Sequence, residues 1–183
     1  SFHLRLPSEN ALEQLQRDTG LDLDYQPNLF VYAPQDPGTF SPEASAFEFA
    51  DDAISWLGLE GDNSAWGQGV TVAVLDTGVL PHASLNMDSV RTIDLVGEQM
   101  PDGDYAGHAT AVCSLLAGSG DGIQGVAPAV TVLSIQILDS YGIGDSFTLA
   151  QGILTAVDQG AKIINMSLGA DGDSAVVRHA IEY

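Results

Sequence analysis

The apolar positions of this chain are concentrated in short runs, which are separated by segments with helical spacing. Residues 70–75 (VTVAVL) are apolar or β-branched at every position, and this pattern is typical of a strand covered on both faces. Further strands are predicted at residues 90–95, 130–138 and 161–166. The second half of the chain is therefore expected to contain a buried sheet.

Three helices are predicted between and after these strands. Residues 107–117 are rich in small side chains, which let a helix pack closely on a sheet, and two more helices are predicted at 146–159 and 174–183. The buried face of the middle helix is expected to consist of Phe147, Ala150, Ile153, Leu154 and Val157. Strands that alternate with helices predict an α/β fold, with a doubly wound parallel sheet and flanking helices.

The first 50 residues are predicted to form a small α+β extension. The pattern indicates a strand at 2–6, a helix at 8–19 that Gly20 ends, and a strand at 21–32. Residues 34–45 carry three prolines and a glycine and are typical of a linker, with a short helix expected at 42–50. The chain is accordingly divided into residues 1–50 and 51–183.

Charge and cysteine content narrow the function classes. The 183 residues include 25 Asp and Glu but only 5 Lys and Arg, which gives a formal net charge of −20. Such a chain repels phosphate backbones and anionic lipids, so neither nucleic acid nor a membrane is expected as a partner, and no apolar stretch reaches membrane-spanning length. Cys113 is the only cysteine, so no intrachain disulfide is possible.

Two titratable residues are candidates for chemistry. Asp76 follows the apolar run at 70–75 directly, where open α/β sheets place catalytic and ligand-binding groups, and His108 lies in the first turn of the helix predicted at 107–117. Both positions belong to the same edge of a doubly wound sheet, so the two side chains can meet, and a carboxylate on one ring nitrogen prepares a histidine to act as a general base. The alternatives are that Asp76 caps a turn and that His108 is a packed or solvated residue at a helix end.

Four segments, in this order and at these spacings, resemble the motifs of subtilisin-like serine peptidases. They are residues 69–79 (GVTVAVLDTGV), 107–117 (GHATAVCSLLA), 125–128 (GVAP) and 163–169 (IINMSLG). The resemblance implies that Asp76 and His108 are the aspartate and the base of a catalytic triad. It also implies that a peptide or protein substrate lies in a cleft lined by Ser167, Leu168 and Gly169 on one side and by Ser140 and Gly142 on the other, and that the protein is secreted or extracytoplasmic.

The chain departs from this family pattern in three ways. Ala109 and Ala111 stand where the family usually has Gly and His, and residues 118–122 lack the ligands of the family's calcium site, so no metal and no cofactor are expected. The chain also stops at Tyr183, before the positions of the oxyanion-hole Asn and the nucleophilic Ser. We expect both on a C-terminal segment of the same polypeptide, with Tyr183 as a cleavage or truncation point in a larger catalytic domain.

The extension at 1–50 resembles a subtilase propeptide weakly, so it is interpreted either as an inhibitory, folding-assisting segment that limits access to the cleft or as an unrelated packing element. Two other functions stay open for the chain. One is an aspartic protease, because Asp76-Thr77-Gly78 is also that class's motif. The other is a non-catalytic binding module with a degenerate subtilase fold. A cysteine nucleophile is not expected, because Cys113 lies five residues after His108 on the same helix and points away from it.

Overall fold

The computed structural model describes residues 8–20, 28–34, 57–97, 102–120, 122–170 and 172–183. Its helices are α1 (Glu9–Thr19), α2 (His108–Ala117), α3 (Ser146–Asp158) and α4 (Ala175–Glu182), with one 3-10 turn at Met87–Ser89. Its strands are β1 (Phe30–Tyr32), β2 (Thr71–Asp76), β3 (Val90–Asp94), β4 (Thr131–Gln136), β5 (Ile143–Asp145), β6 (Ile163–Asn165) and β7 (Gly169–Ala170). No described helix is long and apolar enough to cross a membrane.

The predicted parallel sheet is confirmed. Its strands lie in the order β3-β4-β2-β6, and all three neighbouring pairs run parallel. Ala73, Val74 and Leu75 of β2 are 0% exposed, as expected for a strand covered on both faces. Asp76 is the last residue of β2 and pairs with Gln136, the last residue of β4. The register therefore places the Asp76 carboxylate on the carboxyl edge of the sheet.

Helices cover this sheet on both faces. On one face, α2 contributes Ala109, Cys113 and Ala117 to a cluster with Val72 and Val74 of β2. On the other face, α3 and α4 complete a larger cluster that includes Leu75, Leu133, Leu149, Ile153 and Ala180. The small residues of α2 thus serve the close packing that the sequence predicts.

The buried face of α3 differs from the prediction. Ala150 and Ile153 are buried as expected, but Leu154 and Val157 are 37% and 42% exposed. Gly152 presses against the sheet instead, because a Cβ at this position would lie 2.8 Å from a side-chain carbon of Ile137. The buried face therefore combines the large residues Leu149 and Ile153 with small residues such as Gly152, and it lies away from Leu154 and Val157.

A second sheet, antiparallel and three-stranded, has the order β5-β1-β7. The predicted strand at 21–32 is present in the described residues only as β1, and β1 pairs with two strands from the second half of the chain. Val31 lies opposite Gly144 on β5 and Ala170 on β7. The N-terminal part of the chain therefore packs into the second half through β1.

The helix of the N-terminal extension is confirmed. Ser8 is the N-cap of α1, and Gly20, at φ 67°, ends the helix in the left-handed conformation that favours glycine. The predicted strand at 2–6, the helix at 42–50 and the division between residues 50 and 51 lie outside the described residues.

Candidate active site

Asp76 and His108 lie in direct contact. The Nδ1 atom of His108, the first residue of α2, is 2.9 Å from both carboxylate oxygens of Asp76. Because a carboxylate accepts only, Nδ1 carries the proton and donates it, which leaves Nε2 as the basic nitrogen of a neutral ring. The Asp76 side chain is 0% exposed and that of His108 is 24% exposed. The predicted contact between strand end and helix start is therefore present.

The backbone around Asp76 holds its carboxylate in place. The Thr77 N–H donates to Asp76 Oδ1 at 2.6 Å, and the Ala109 N–H donates to Thr77 Oγ1 at 3.3 Å. The second bond joins the end of β2 to the start of α2, so the two catalytic candidates are linked through their neighbours as well as directly. The Ala109 side chain is fully buried, and Ala in place of the family's usual Gly leaves this start of the helix intact.

Gly78 fixes the direction in which the chain leaves the site. Its φ is 86°, and a Cβ there would lie 3.0 Å from Oε1 of Gln136. The N–H of the next residue, Val79, donates to the buried Ser134 hydroxyl at 3.0 Å, and this bond fixes the chain after Gly78. A side chain at position 78 would be strained in conformation and crowded by Gln136.

The exposed side of the imidazole is available for a reacting group. Within the described ranges no hydrogen bond engages Nε2 of His108. The ring of Tyr105 lies on its flank, with centroids 6.2 Å apart at 57°. A base whose Nδ1 is held by a buried carboxylate and whose Nε2 is unengaged can take a proton from a nucleophile, because the carboxylate stabilises the imidazolium that forms.

Cys113 does not compete for the role of nucleophile. It is 0% exposed among Val72, Val74 and Val132. Burial, with a smaller contribution from the Asp76 charge, raises the pKa of the Cys113 thiol to about 12. A thiol that stays protonated at neutral pH is a poor nucleophile. The predicted inward orientation of Cys113 is confirmed.

The aspartic-protease alternative requires a second catalytic aspartate. The chain offers Asp139 as the best candidate, but Asp139 Oδ1 accepts from the N–H groups of Tyr141 and Ile143 at 3.0 and 2.9 Å. This is the geometry of an aspartate that closes a turn. Asp76 itself is engaged by an imidazole, and the α/β fold differs from the all-β fold that a carboxylate dyad of this class needs.

Two of the five residues implied as substrate-binding lie beside β1. The carbonyl of Gly142 accepts from the Ala33 N–H at 2.8 Å. Gly169, the first residue of β7, lies opposite Tyr32. One extended segment of the same chain, residues 30–33, therefore lies between the two expected walls of the cleft.

The other three residues support the cleft instead of facing its occupant. Ser140 is 0% exposed and its carbonyl accepts from the Tyr105 N–H at 2.9 Å. Ser167 Oγ accepts from Asn165 Nδ2 at 2.9 Å, and Leu168 packs against the larger core cluster. Of the three residues expected on this wall, only Gly169 belongs to a strand, β7.

Several contacts of the cleft have no signal in the sequence pattern. The backbone of 30–33 pairs with β5 and β7, and backbone groups are the same in every residue. Asn28 and Leu29 also contact Ser146 at the start of α3. Only the short apolar run after Asn28 marks this segment as a strand.

The described residues contain no group of three or more His, Cys, Asp or Glu side chains that could hold a metal ion. The segment after α2, where the family's calcium loop would lie, is closed by backbone bonds. The Gly125 N–H donates to the Gly118 carbonyl at 2.8 Å, and the Ser119 N–H donates to the Ser84 carbonyl at 3.0 Å. These carbonyls are engaged within the protein.

Comparisons with known proteins agree with the motifs and with the fold. Thermitase from Thermoactinomyces vulgaris is 31% identical over 156 residues, covering 83% of this chain and 53% of thermitase. The minor extracellular protease Epr from Bacillus subtilis is 28% identical over 181 residues, covering 94% of this chain and 27% of Epr. The solved structure of sphericase is 31% identical with a TM-score of 0.58, covering 74% of this chain and 48% of that one.

The chain thus spans about half or less of the length of these relatives. The family model described as the subtilase family matches residues 67–183. That match includes β2 with Asp76, α2 with His108 and both walls of the cleft. The chain belongs to the subtilase family.

Proposed function

We propose that the protein is a serine endopeptidase in which this chain supplies Asp76 and His108, while the nucleophilic Ser and the oxyanion-hole Asn lie on a C-terminal segment of the same polypeptide. The observation that carries the proposal is the contact of His108 Nδ1 with both oxygens of the buried Asp76 carboxylate, at 2.9 Å. This geometry leaves Nε2 as a general base at the edge of the cleft.

The residues of this chain act on protons. His108 Nε2 takes the proton of the serine hydroxyl as that oxygen attacks the peptide carbonyl, and the imidazolium then passes the proton to the departing amine. Throughout, Nδ1–H stays hydrogen-bonded to Asp76, which keeps the ring in the correct tautomer and balances its charge. Because Asp76 is fully buried, water weakens this interaction less than it would at the protein surface.

Exposed apolar side chains support a further segment that packs beside the parallel sheet. Ile163 of β6, at the edge of the sheet, is 55% exposed, and Ile181 of α4 is 62% exposed. An edge strand with apolar side chains is a site for pairing with another segment. A C-terminal segment bound here would reach the same carboxyl edge of the sheet that holds Asp76 and His108.

Residues 30–33 are proposed to act as an internal, inhibitory occupant of the cleft. Backbone pairing with two walls is the way in which proteins bind extended peptides, and β1 pairs in this way with β5 and β7. The similarity to Epr covers 94% of the chain and so extends well before residue 67, where the family match begins. A peptide substrate would take the place of β1, and an extracytoplasmic location is proposed from the printed description of Epr as extracellular.

Labelling with a fluorophosphonate tests the catalytic part of the proposal. The native protein, purified from cells that express the complete gene, is labelled and then separated by denaturing electrophoresis with intact-mass analysis. We expect the label on a fragment, or on a part of one polypeptide, that lacks His108. If no label is incorporated while the protein still binds peptides, the chain belongs to a non-catalytic binding module.

Deletion of residues 1–50 tests the inhibitory part. We expect faster hydrolysis of peptides at low substrate concentration, because the cleft no longer holds an occupant. Unchanged hydrolysis at every substrate concentration would contradict the inhibitory role and leave the catalytic proposal standing.

A further inference from the structure

Residues 30–33, which occupy the cleft, are also held by contacts of the two residues before them, Asn28 and Leu29. A backbone ladder alone accepts any sequence, so β1 could shift along its two walls by two residues and keep the same pattern of hydrogen bonds. The buried side chains of Val31 and Ala33 fix the register in the middle of the segment, and a further set of contacts holds one end. In the described structure that end is formed by Asn28, Leu29 and Ser146.

Ser146 extends the ladder by one residue with its side chain. The Ser146 N–H donates to the Leu29 carbonyl at 2.7 Å, as in an ordinary ladder. The return bond differs, because the Leu29 N–H donates to the Ser146 hydroxyl at 3.1 Å. Ser146 is the first residue of α3, so its carbonyl belongs to the helix and its hydroxyl takes the carbonyl's place in the ladder. Ser146 as a whole is 1% exposed.

The same hydroxyl connects to the Asn28 side chain. Ser146 Oγ donates to Asn28 Oδ1 at 3.1 Å, and the Phe147 N–H donates to the same oxygen at 3.1 Å. A hydroxyl has one proton, and accepting from Leu29 leaves that proton for Asn28. The carbonyl oxygen of the Asn28 amide therefore satisfies two donors that residues 30–33 do not reach.

Charge decides which side chain fits at position 28. Asp145, the N-cap of α3, accepts from the same Phe147 N–H at 3.1 Å and from the Thr148 N–H at 2.9 Å. An aspartate at position 28 would place a second carboxylate beside that of Asp145, on a chain with a net charge of −20. The positive end of the helix dipole, equivalent to about half a charge, already faces the full charge of Asp145 and offsets only part of this repulsion. The place favours a neutral carbonyl.

We propose that Ser146 and the Phe147 N–H form a specificity subsite of the cleft, which selects an extended peptide with Asn three residues before the residue opposite Gly144. The subsite favours Asn over both Ala and Asp. The same subsite binds the N-terminal segment and a peptide substrate. Only the part of the proposal that concerns a substrate rests on the proposed function.

Hydrogen exchange tests the subsite without catalysis. The complete polypeptide, in an Asp76→Asn background that slows self-cleavage, is compared with Asn28→Ala, Asn28→Asp and Ser146→Ala variants. Asn28→Ala and Ser146→Ala each remove two of these hydrogen bonds, and Asn28→Asp adds a negative charge beside Asp145, so amide exchange at residues 29–33 is expected to be roughly 5- to 30-fold faster in each variant. Asn10→Ala, the same change on the exposed surface of α1, is the control. Equal exchange in Asn28→Ala and Asn10→Ala would overturn the proposal.

Peptide competition tests the substrate side. Three peptides with the sequence of residues 26–34, carrying Asn, Ala or Asp at position 28, compete for hydrolysis by the complete polypeptide, which is folded with residues 1–50 present and then cut between residues 34 and 57. We expect the Asn peptide to bind roughly 5- to 30-fold more tightly than the other two, with kcat of a reporter substrate unchanged. We expect Ser146→Ala to weaken the preference for Asn over Ala, because only the Phe147 N–H is then left to donate to the Asn side chain. Equal inhibition constants in an active enzyme would refute the subsite alone, whereas an inactive enzyme that still shows the exchange result would refute the proposed function alone.

Discussion

The two sheets of this protein are stabilised by different parts of the chain. In the parallel sheet, side chains of β2 and β4 such as Leu75 and Ile135 are fully buried between helices. In the antiparallel sheet, Phe30 and Ile143 are 62% and 40% exposed, and the strands are only two or three residues long. The first sheet is buried along its central strands, whereas the second combines backbone hydrogen bonds with two buried side chains of the N-terminal segment, Val31 and Ala33.

This difference fits the role that is proposed for each sheet. A parallel sheet with a packed interior holds Asp76 and His108 in one fixed geometry, which catalysis requires. A backbone-paired sheet can exchange its middle strand for another extended peptide. Under the proposed function, the molecule therefore combines a rigid frame for Asp76 and His108 with a cleft whose middle strand can be exchanged for another peptide.

The largest effect is expected from Asp76→Asn. The amide would hydrogen-bond His108 in the wrong tautomer, so turnover of the complete enzyme should fall by about 10⁴-fold, the size known for this change in the triad of another serine peptidase. Circular dichroism and steady-state kinetics with a peptide substrate measure fold and turnover. Asp88→Asn, on the exposed 3-10 turn, is the control, and near-normal activity of Asp76→Asn would remove Asp76 from the mechanism.

The next effect separates the two sheets by stability. Leu75→Ala creates a cavity in the packed parallel sheet and should lower the free energy of unfolding by about 2–5 kcal/mol. Phe30→Ala removes a larger side chain from the antiparallel sheet, but that side chain is exposed, and the loss should stay within about 0.5 kcal/mol. Urea unfolding of the complete polypeptide measures both. Similar losses for the two variants would contradict the contrast between the sheets.

Alkaline pH should act on the parallel sheet through Cys113. Its folded pKa, at about 12, lies above the ordinary value of 9.0, so the unfolded state loses the thiol proton first. The stabilising contribution is complete below pH 9 and is lost as pH rises towards 12, at up to about 1.4 kcal/mol per pH unit. Unfolding free energies between pH 8 and about 11 should fall less steeply for Cys113→Ala. Parallel curves for both proteins would show that Cys113 does not titrate in this way.

The smallest effect concerns the antiparallel sheet. Ala33→Pro removes the N–H that donates to the Gly142 carbonyl and places a larger ring at a buried position. Loss of one hydrogen bond should loosen β1 and raise the rate of peptide hydrolysis at low substrate concentration by about 2- to 10-fold. Ala33→Gly is the control, because it removes the side chain and keeps the N–H. An equal change in both variants would assign the effect to side-chain loss.

The sequence predicts the parallel sheet well because its evidence is in the side chains. The apolar run before Asp76, the small residues of α2 and the spacing from Asp76 to His108 all reflect burial or chemistry, and the structure brings the two titratable residues together. Outside this frame the pattern is less informative. Leu154 and Val157 fit a helical stripe yet are exposed, because Gly152 sets the contact face.

The antiparallel sheet could not be predicted in the same way. The pairing of β1 with β5 and β7 uses backbone groups that every residue carries, and its partners lie more than 100 residues away in the chain. The role of Ser146 depends on its hydroxyl replacing a backbone carbonyl at a helix start, which no periodicity records. Ser140 likewise fits the family pattern for the cleft, but it is buried, and its carbonyl accepts from the Tyr105 N–H.

The position of β1 has a consequence for how the cleft responds to dilution. Residues 28–34 and the strands that flank them belong to one covalent chain, joined through residues 35–56. A tethered segment binds at an effective concentration on the order of millimolar, which is independent of how much protein is in solution. Dilution therefore does not empty the cleft while the chain is intact. A single cut between residues 34 and 57 would convert the occupant into a separate ligand that dilution can remove, and under the proposed inhibitory role the timing of that cut would set when the cleft opens to substrate.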